Sequence, residues 1–229
     1  MALAWWSRRA RSRGRVSVGY GRLSAVFVVV FALLYSLASI DWLMALSPEW
    51  FSTMWGVYQF AGAFLGGLAT ITLLTVLLGR AGRLPHGART KVLHPLGILL
   101  FAFSCFWMYI WFSQYMLIWY TNMPEETFFF AHQSHGLWGP LFIANLVLNW
   151  VIPFFVLLPR PAKENARVML RIAVLLLAGH WLDLYLAIVP SVGMQHPFFG
   201  FCEIGSILGT IGLFGLLVMH VLHKTEVPA

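Results

Sequence analysis

Six of the eight acidic residues in this 229-residue chain, Asp41, Glu49, Glu125, Glu126, Asp183 and Glu203, fall in or beside one half of a series of long apolar stretches. An ionisable side chain in a lipid environment is costly, which makes each a functional candidate. Asp183 lies about seven residues, roughly 10 Å, inside its stretch. His180 precedes it by three positions, so the two share one face of a helix. Glu203 opens the last stretch, and Ser206 and Thr210 continue its polar face at i+3 and i+7. His132 and His135 follow Glu125 and Glu126 in the same polar segment. If the helix ends converge, these groups form an acidic, imidazole-rich pocket. Carboxylates and imidazoles there can accept a hydroxyl proton and relay it. Blander assignments stand beside this one. Asp41 and Glu203 would also suit a wet interface, His180 alone a satisfied core position, and Glu49 an ordinary loop.

Other chemistries find no support. A bis-histidine haem site needs paired histidines at one depth, yet only His180 is well inside the membrane, and His94 and His220 lie near helix ends. There is no CxxCH, no HExxH, no iron–sulfur cysteine spacing and no Ser-His-Asp or phosphate-cradling glycine pattern. Cys105 and Cys202 fall at different membrane depths, too far apart for a disulfide. This chain must therefore hand any electrons to a partner.

The elements that position these groups follow from composition. Hydrophobic residues make up 60% of the chain and charged residues 10%, against roughly 25% charged in a soluble domain. Apolar runs at 23–46, 54–79, 95–120, 137–158, 168–190 and 201–222 are each long enough to cross a bilayer as a helix. Helices are required because lipid offers the backbone no hydrogen-bond partner. The expected fold is an all-α integral membrane bundle of six helices. An Arg-rich segment at 1–22, a transmembrane domain at 23–222 and a short tail at 223–229 divide the chain. The 11 tryptophans suit two membrane interfaces.

All 15 basic residues fall on one side of such a bundle. Arg8, Arg9, Arg11, Arg13, Arg15 and Arg22 precede the first span. Arg80, Arg83, Arg89 and Lys91 separate the second and third. Arg160, Lys163, Arg167 and Arg171 separate the fourth and fifth, and Lys224 ends the chain. The positive-inside rule then puts both termini in the cytoplasm. The same distribution accounts for the net charge of +7 without a nucleic-acid partner. The N-terminal WWSRRARSRGR reads as a cytoplasmic flank and not as a twin-arginine export signal, because the apolar run after it is too long.

Small-xxx-small faces at Gly62/Gly66 and Gly205/Gly209 predict close helix packing. Helix 3 carries rings on all sides, including Trp107, Tyr109, Trp111, Tyr115, Trp119 and Tyr120, and is expected to be buried; the rings either pack or line a quinone slot. Asn145 and Asn149, at i and i+4, either bridge helices or line a water path. No internal repeat is evident.

Two longer motifs carry a family resemblance. Residues 39–62 read SIDWLMALSPEWFSTMWGVYQFAG and residues 113–127 read SQYMLIWYTNMPEET, with HGLWG at 135–139 and WLDLYLAIVP at 181–190. From about residue 20 to 220 the chain resembles the second NrfD-like (polysulfide-reductase-type) membrane subunit of alternative complex III, the ActF type. That complex oxidises quinol and passes electrons through iron–sulfur and haem subunits toward cytochrome c or an oxidase. Its second NrfD-like subunit is thought to offer a proton route. Members of the type usually carry two four-helix bundles with flanking helices, and this chain matches only the later six helices. On matching positions the resemblance carries over Asp41, Glu125, Glu126, Asp183 and His135.

The resulting expectation is a membrane subunit of a quinol:cytochrome c or quinol:acceptor oxidoreductase in the bacterial inner membrane. It would bind quinone or conduct protons near the outer face through Asp41, Glu125, Glu126, His135, His180, Asp183 and Glu203. Haem and iron–sulfur clusters would sit on partners: an iron–sulfur subunit, a multihaem cytochrome c and a sister NrfD-like subunit. Two rivals are a non-catalytic scaffold for peripheral redox subunits and a small secondary transporter. The transporter lacks the repeat symmetry expected of such folds.

Overall fold

The computed structural model describes residues 18–83, 88–193, 196–198 and 200–225. Arg8, Arg9, Arg11, Arg13 and Arg15, and the side chains of Arg89, Lys91, Glu125 and Lys224, lie outside that description. Six helical segments among the described residues are long and apolar enough to cross a membrane. They span Gly21–Leu46, Trp55–Arg80, Val92–Thr121, Gly136–Leu157, Ala166–Val192 and Phe201–His223. Each agrees with a predicted run to within a few residues, because an apolar run long enough to cross lipid ends where polar, charged or turn-forming residues begin.

The chain divides into two compact units, Met1–Met194 and Gln195–Ala229. In the first unit, α1 (Val18–Trp42) leads through a 3₁₀ turn to α2 (Trp55–Arg80) and α3 (Ala88–Thr121). A short α4 (Pro124–Ser134) follows. The next span is composite: α5 (Gly139–Leu146), a π-helical turn (Val147–Val151) and α6 (Ile152–Leu157). A single-turn α7 (Arg160–Glu164) precedes α8 (Ala166–Ile188). The second unit is α9 (Phe201–Thr225) with the residues that lead into it.

α2 is the centre of the first unit, packing against α1, α3 and α8. Lipid tails are as apolar as leucine, so association rests on close packing and hydrogen bonds. At the α1–α2 contact, Ser36 Oγ donates to Gly56 O at 3.1 Å and Trp55 Nε1 donates to Ser39 O at 3.2 Å. A Cβ on Gly56 would come within 2.9 Å of Ser36 Cβ, so the absent side chain sets this approach.

Three features depart from the sequence-based expectation. α3 is not buried on all sides: Trp107 and Trp111 are in the core, but Tyr109, Trp119 and Tyr120 are exposed. An apolar solvent receives rings as readily as a protein core does, so aromatic content did not report burial. The polar segment after α3 is not a simple loop, since it contains α4. Asn122, in the left-handed region at φ 49°, turns the chain out of α3, a conformation asparagine tolerates. Pro124 then supplies the fixed φ of a first helical position. α4 drives Phe129 and Phe130 into the core, where Phe129 stacks on Trp50 at 3.9 Å between ring centroids.

The third departure is the π-helical turn. Pro153 has no N–H to offer the carbonyl of Asn149 four residues earlier, and its ring crowds that carbonyl. The helix widens there, a common accommodation. Ser104 Oγ, fully buried on α3, donates to the Asn149 carbonyl at 2.5 Å and replaces the missing donor.

Candidate functional site

Asp183, on α8, is 4% exposed and sits where α2, α3, α5 and α8 meet. Its donors come from three different helices. The Tyr58 hydroxyl on α2 donates to Oδ1. Asn145 Nδ2 on α5 donates to the same oxygen at 2.8 Å. Trp107 Nε1 on α3 reaches Oδ2 at 3.4 Å. All three donors are neutral. They solvate a carboxylate without fixing its charge as a buried lysine or arginine would.

A second layer orients the first. Asn149 Nδ2 donates to Asn145 Oδ1 at 2.6 Å and to Asn145 O at 3.1 Å. With its carbonyl oxygen engaged, Asn145 presents its amide N–H groups to Asp183. Asn149 is held in turn by close contact with α8: a Cβ on Gly179 would stand 2.7 Å from Asn149 Oδ1. The polar pair therefore bridges helices, and Asn145 also faces a small cavity.

His180 lies one turn from Asp183 on α8, and its ring sits over Gly62 and Gly66 of α2. A Cβ on Gly62 would be 3.1 Å from His180 Cε1 and Nδ1, and one on Gly66 would be 3.1 Å from Cδ2. This small-residue face thus receives an imidazole. The glycines were legible as a packing signal, but their occupant was not.

The carboxylate opens onto a small cavity of about 20 Å³, measured as space open to the centre of a water molecule. Its polar lining is Tyr58, Gln114, Gln133, Asn145 and Asp183. A single water needs about 10–15 Å³ by that measure and two to four polar partners, so the cavity suits one water. Phe129 and Gln133, which form part of its wall, also line a groove of about 340 Å³ at the end of the bundle remote from the basic segments. That groove carries Glu49, His132, Ser47 and Ser191. One phenylalanine and one glutamine thus lie between the internal carboxylate and an open polar surface.

The remaining candidates are distributed. Asp41 is exposed near the end of α1, outside the Asp183 cluster. Glu126 is half-buried in the first turn of α4. His135 ends α4 and lines a different groove. Glu203 belongs to the second unit, where its Oε2 accepts the Gly200 N–H at 2.7 Å. Sequence reasoning paired His180 with Asp183 but missed Tyr58 and Trp107, whose roles are set by tertiary contact. Among the described residues no three His, Cys, Asp or Glu side chains converge as a metal site. No protein-family model matches the chain, and a search of curated proteins found no significant match.

Proposed function

We propose that this protein is a membrane subunit of a quinol:cytochrome c or quinol:acceptor oxidoreductase complex, and that Asp183 is its proton-transfer station near the outer face. The observation that carries the proton role is that Phe129 and Gln133 wall both the water-sized cavity at Asp183 and the polar groove, so that only these two side chains separate them. A carboxylate solvated by neutral donors can gain and lose a proton without breaking an ion pair; on the way out Gln133 can hydrogen-bond a proton-carrying water and His132 offers an imidazole to receive the proton. The positive-inside distribution supports an outer position for that groove and cytoplasmic termini, and this reading assigns the chain to a bacterial inner membrane. Electron carriers belong to partners in this reading: an iron–sulfur subunit, a multihaem cytochrome c and a sister NrfD-like subunit. The motifs at 39–62 and 113–127 support that assembly.

The test has two parts. Mild-detergent purification followed by mass spectrometry should recover iron–sulfur and multihaem proteins with this chain; a lone protein would overturn the complex assignment. In the complex reconstituted into liposomes, Asp183→Asn keeps the shape and the Tyr58 contact but cannot carry a proton. Quinol-driven proton release should fall at least about tenfold, the scale of a lost acid–base group. Unchanged release would remove Asp183 from the mechanism.

A further inference from the structure

A second groove, separate from the Asp183 cavity, lies between the end of α3 and α4. It measures about 170 Å³ and is lined by Tyr115, Trp119, Asn122, Phe130 and His135, among others. An apolar cavity of about 150 Å³ accepts a benzene ring, so one substituted ring fits. Its walls are firm: Tyr115 meets Phe130 edge to face at 5.5 Å and stacks on Trp111 at 5.6 Å. The groove lies at the last turn of the third span, where its lining residue Trp119 is exposed. An apolar tail would have a lipid-facing track along α3.

The polar end of the groove has a defined hydrogen-bonding sense. His135 Nδ1 lies 2.8 Å from the Ala131 carbonyl, which can only accept. Nδ1 therefore carries a proton, and in the uncharged form of that tautomer Nε2 is the acceptor. Ser134 Oγ, 3.1 Å from the same Nδ1, can share that N–H only as a second acceptor. The next residue, Gly136, takes a left-handed φ of 61° and lets the chain turn directly after the histidine.

We infer that this groove binds a hydroxylated aromatic ring carried on an apolar tail, its hydroxyl donating to His135 Nε2. The inference rests on the quinol assignment for the ligand class and goes beyond it by placing the ring away from Asp183. A neutral Nε2 accepts from a quinol hydroxyl but has nothing to offer a quinone carbonyl. The site thus favours the reduced form.

The experiment is equilibrium binding of a decyl-substituted benzoquinol and of its benzoquinone form to the full-length protein, with any co-purifying subunits, in lipid nanodiscs. The reduced form should bind about tenfold tighter, the worth of one hydrogen bond to a polar site. His135→Ala should erase that preference, and His135→Gln, which restores an acceptor oxygen, should recover part of it. A photoreactive azidobenzoquinone should label residues 115–135. Equal affinity for the two forms in the unmodified protein, or labelling confined to other helices, would overturn the inference. Asp183→Asn separates the two proposals, because it should stop proton release and leave ring binding intact. Loss of binding in Asp183→Asn with retention in His135→Ala would move the ring to the Asp183 cavity and overturn the groove.

Discussion

The Tyr58 hydroxyl donates to Asp183 Oδ1 across 125 positions of sequence, tying α2 to α8 in the interior of the bundle. With Asn145 and Trp107 it gives the carboxylate donors from three helices. Any change to one donor is felt by the others. Tyr58→Phe removes a single oxygen and leaves Asp183 short of one donor. Stability should fall by about 1–3 kcal/mol, the cost of an under-satisfied buried polar group. Thermal unfolding in detergent, compared with Asp183→Leu, which offers Tyr58 no acceptor, and with the double variant, measures the coupling. Additive losses would mean that the contact does not form in solution.

Ser104 and Pro153 form a compensating pair around the Asn149 carbonyl. Ser104→Ala leaves that buried oxygen without its donor and should cost about 1–3 kcal/mol. Restoring an N–H with Pro153→Ala in the same background should recover part of the loss. Parallel unfolding curves of the single and double variants decide it. If Pro153→Ala makes Ser104→Ala worse, the serine has another task.

Gly179 has no room to spare. A methyl there would press on the Asn149 amide at 2.7 Å and disturb the link that orients Asn145. Gly179→Ala should destabilise the protein by about 1–3 kcal/mol, the range for overpacking, and Asn149→Ser should relieve it. Proton release should suffer in Gly179→Ala beyond its effect on stability, because Asn145 is no longer held toward Asp183. Rates compared at equal folded fraction provide the check.

Gln133 stands between the internal cavity and the polar groove. Gln133→Leu preserves volume to a first approximation but removes the polar link. Quinol-driven proton release in liposomes should slow several-fold, with the unfolding temperature nearly unchanged. An unaffected rate would direct the route elsewhere.

The spans were legible because hydrophobic length and basic residues are one-dimensional signals that survive without knowledge of neighbours. The pairing of His180 with Asp183 was legible for a similar reason, since i and i+3 meet on any helix. Tyr58 and Trp107 were not, because one hydroxyl and one indole among many aromatics become partners of a carboxylate only when three helices meet. Asn145 and Asn149 were visible as a stripe, but the direction of the amides depends on what waits across the interface. α4 left a faint trace in Pro124 followed by two glutamates. Its insertion of Phe129 and Phe130 beneath Trp50 could not be read from a polar connection.

The imidazole of His180 seated over Gly62 and Gly66 has a consequence for how this sequence can drift. While the histidine is present, a Cβ at either glycine would stand 3.1 Å from its ring. A larger residue at either position is accommodated only if the imidazole gives way, and the bulkier the residue the further it must move. The three positions therefore form a ratchet: loss of His180 would open a void that 62 and 66 are free to fill, and once they have done so the histidine has no way back.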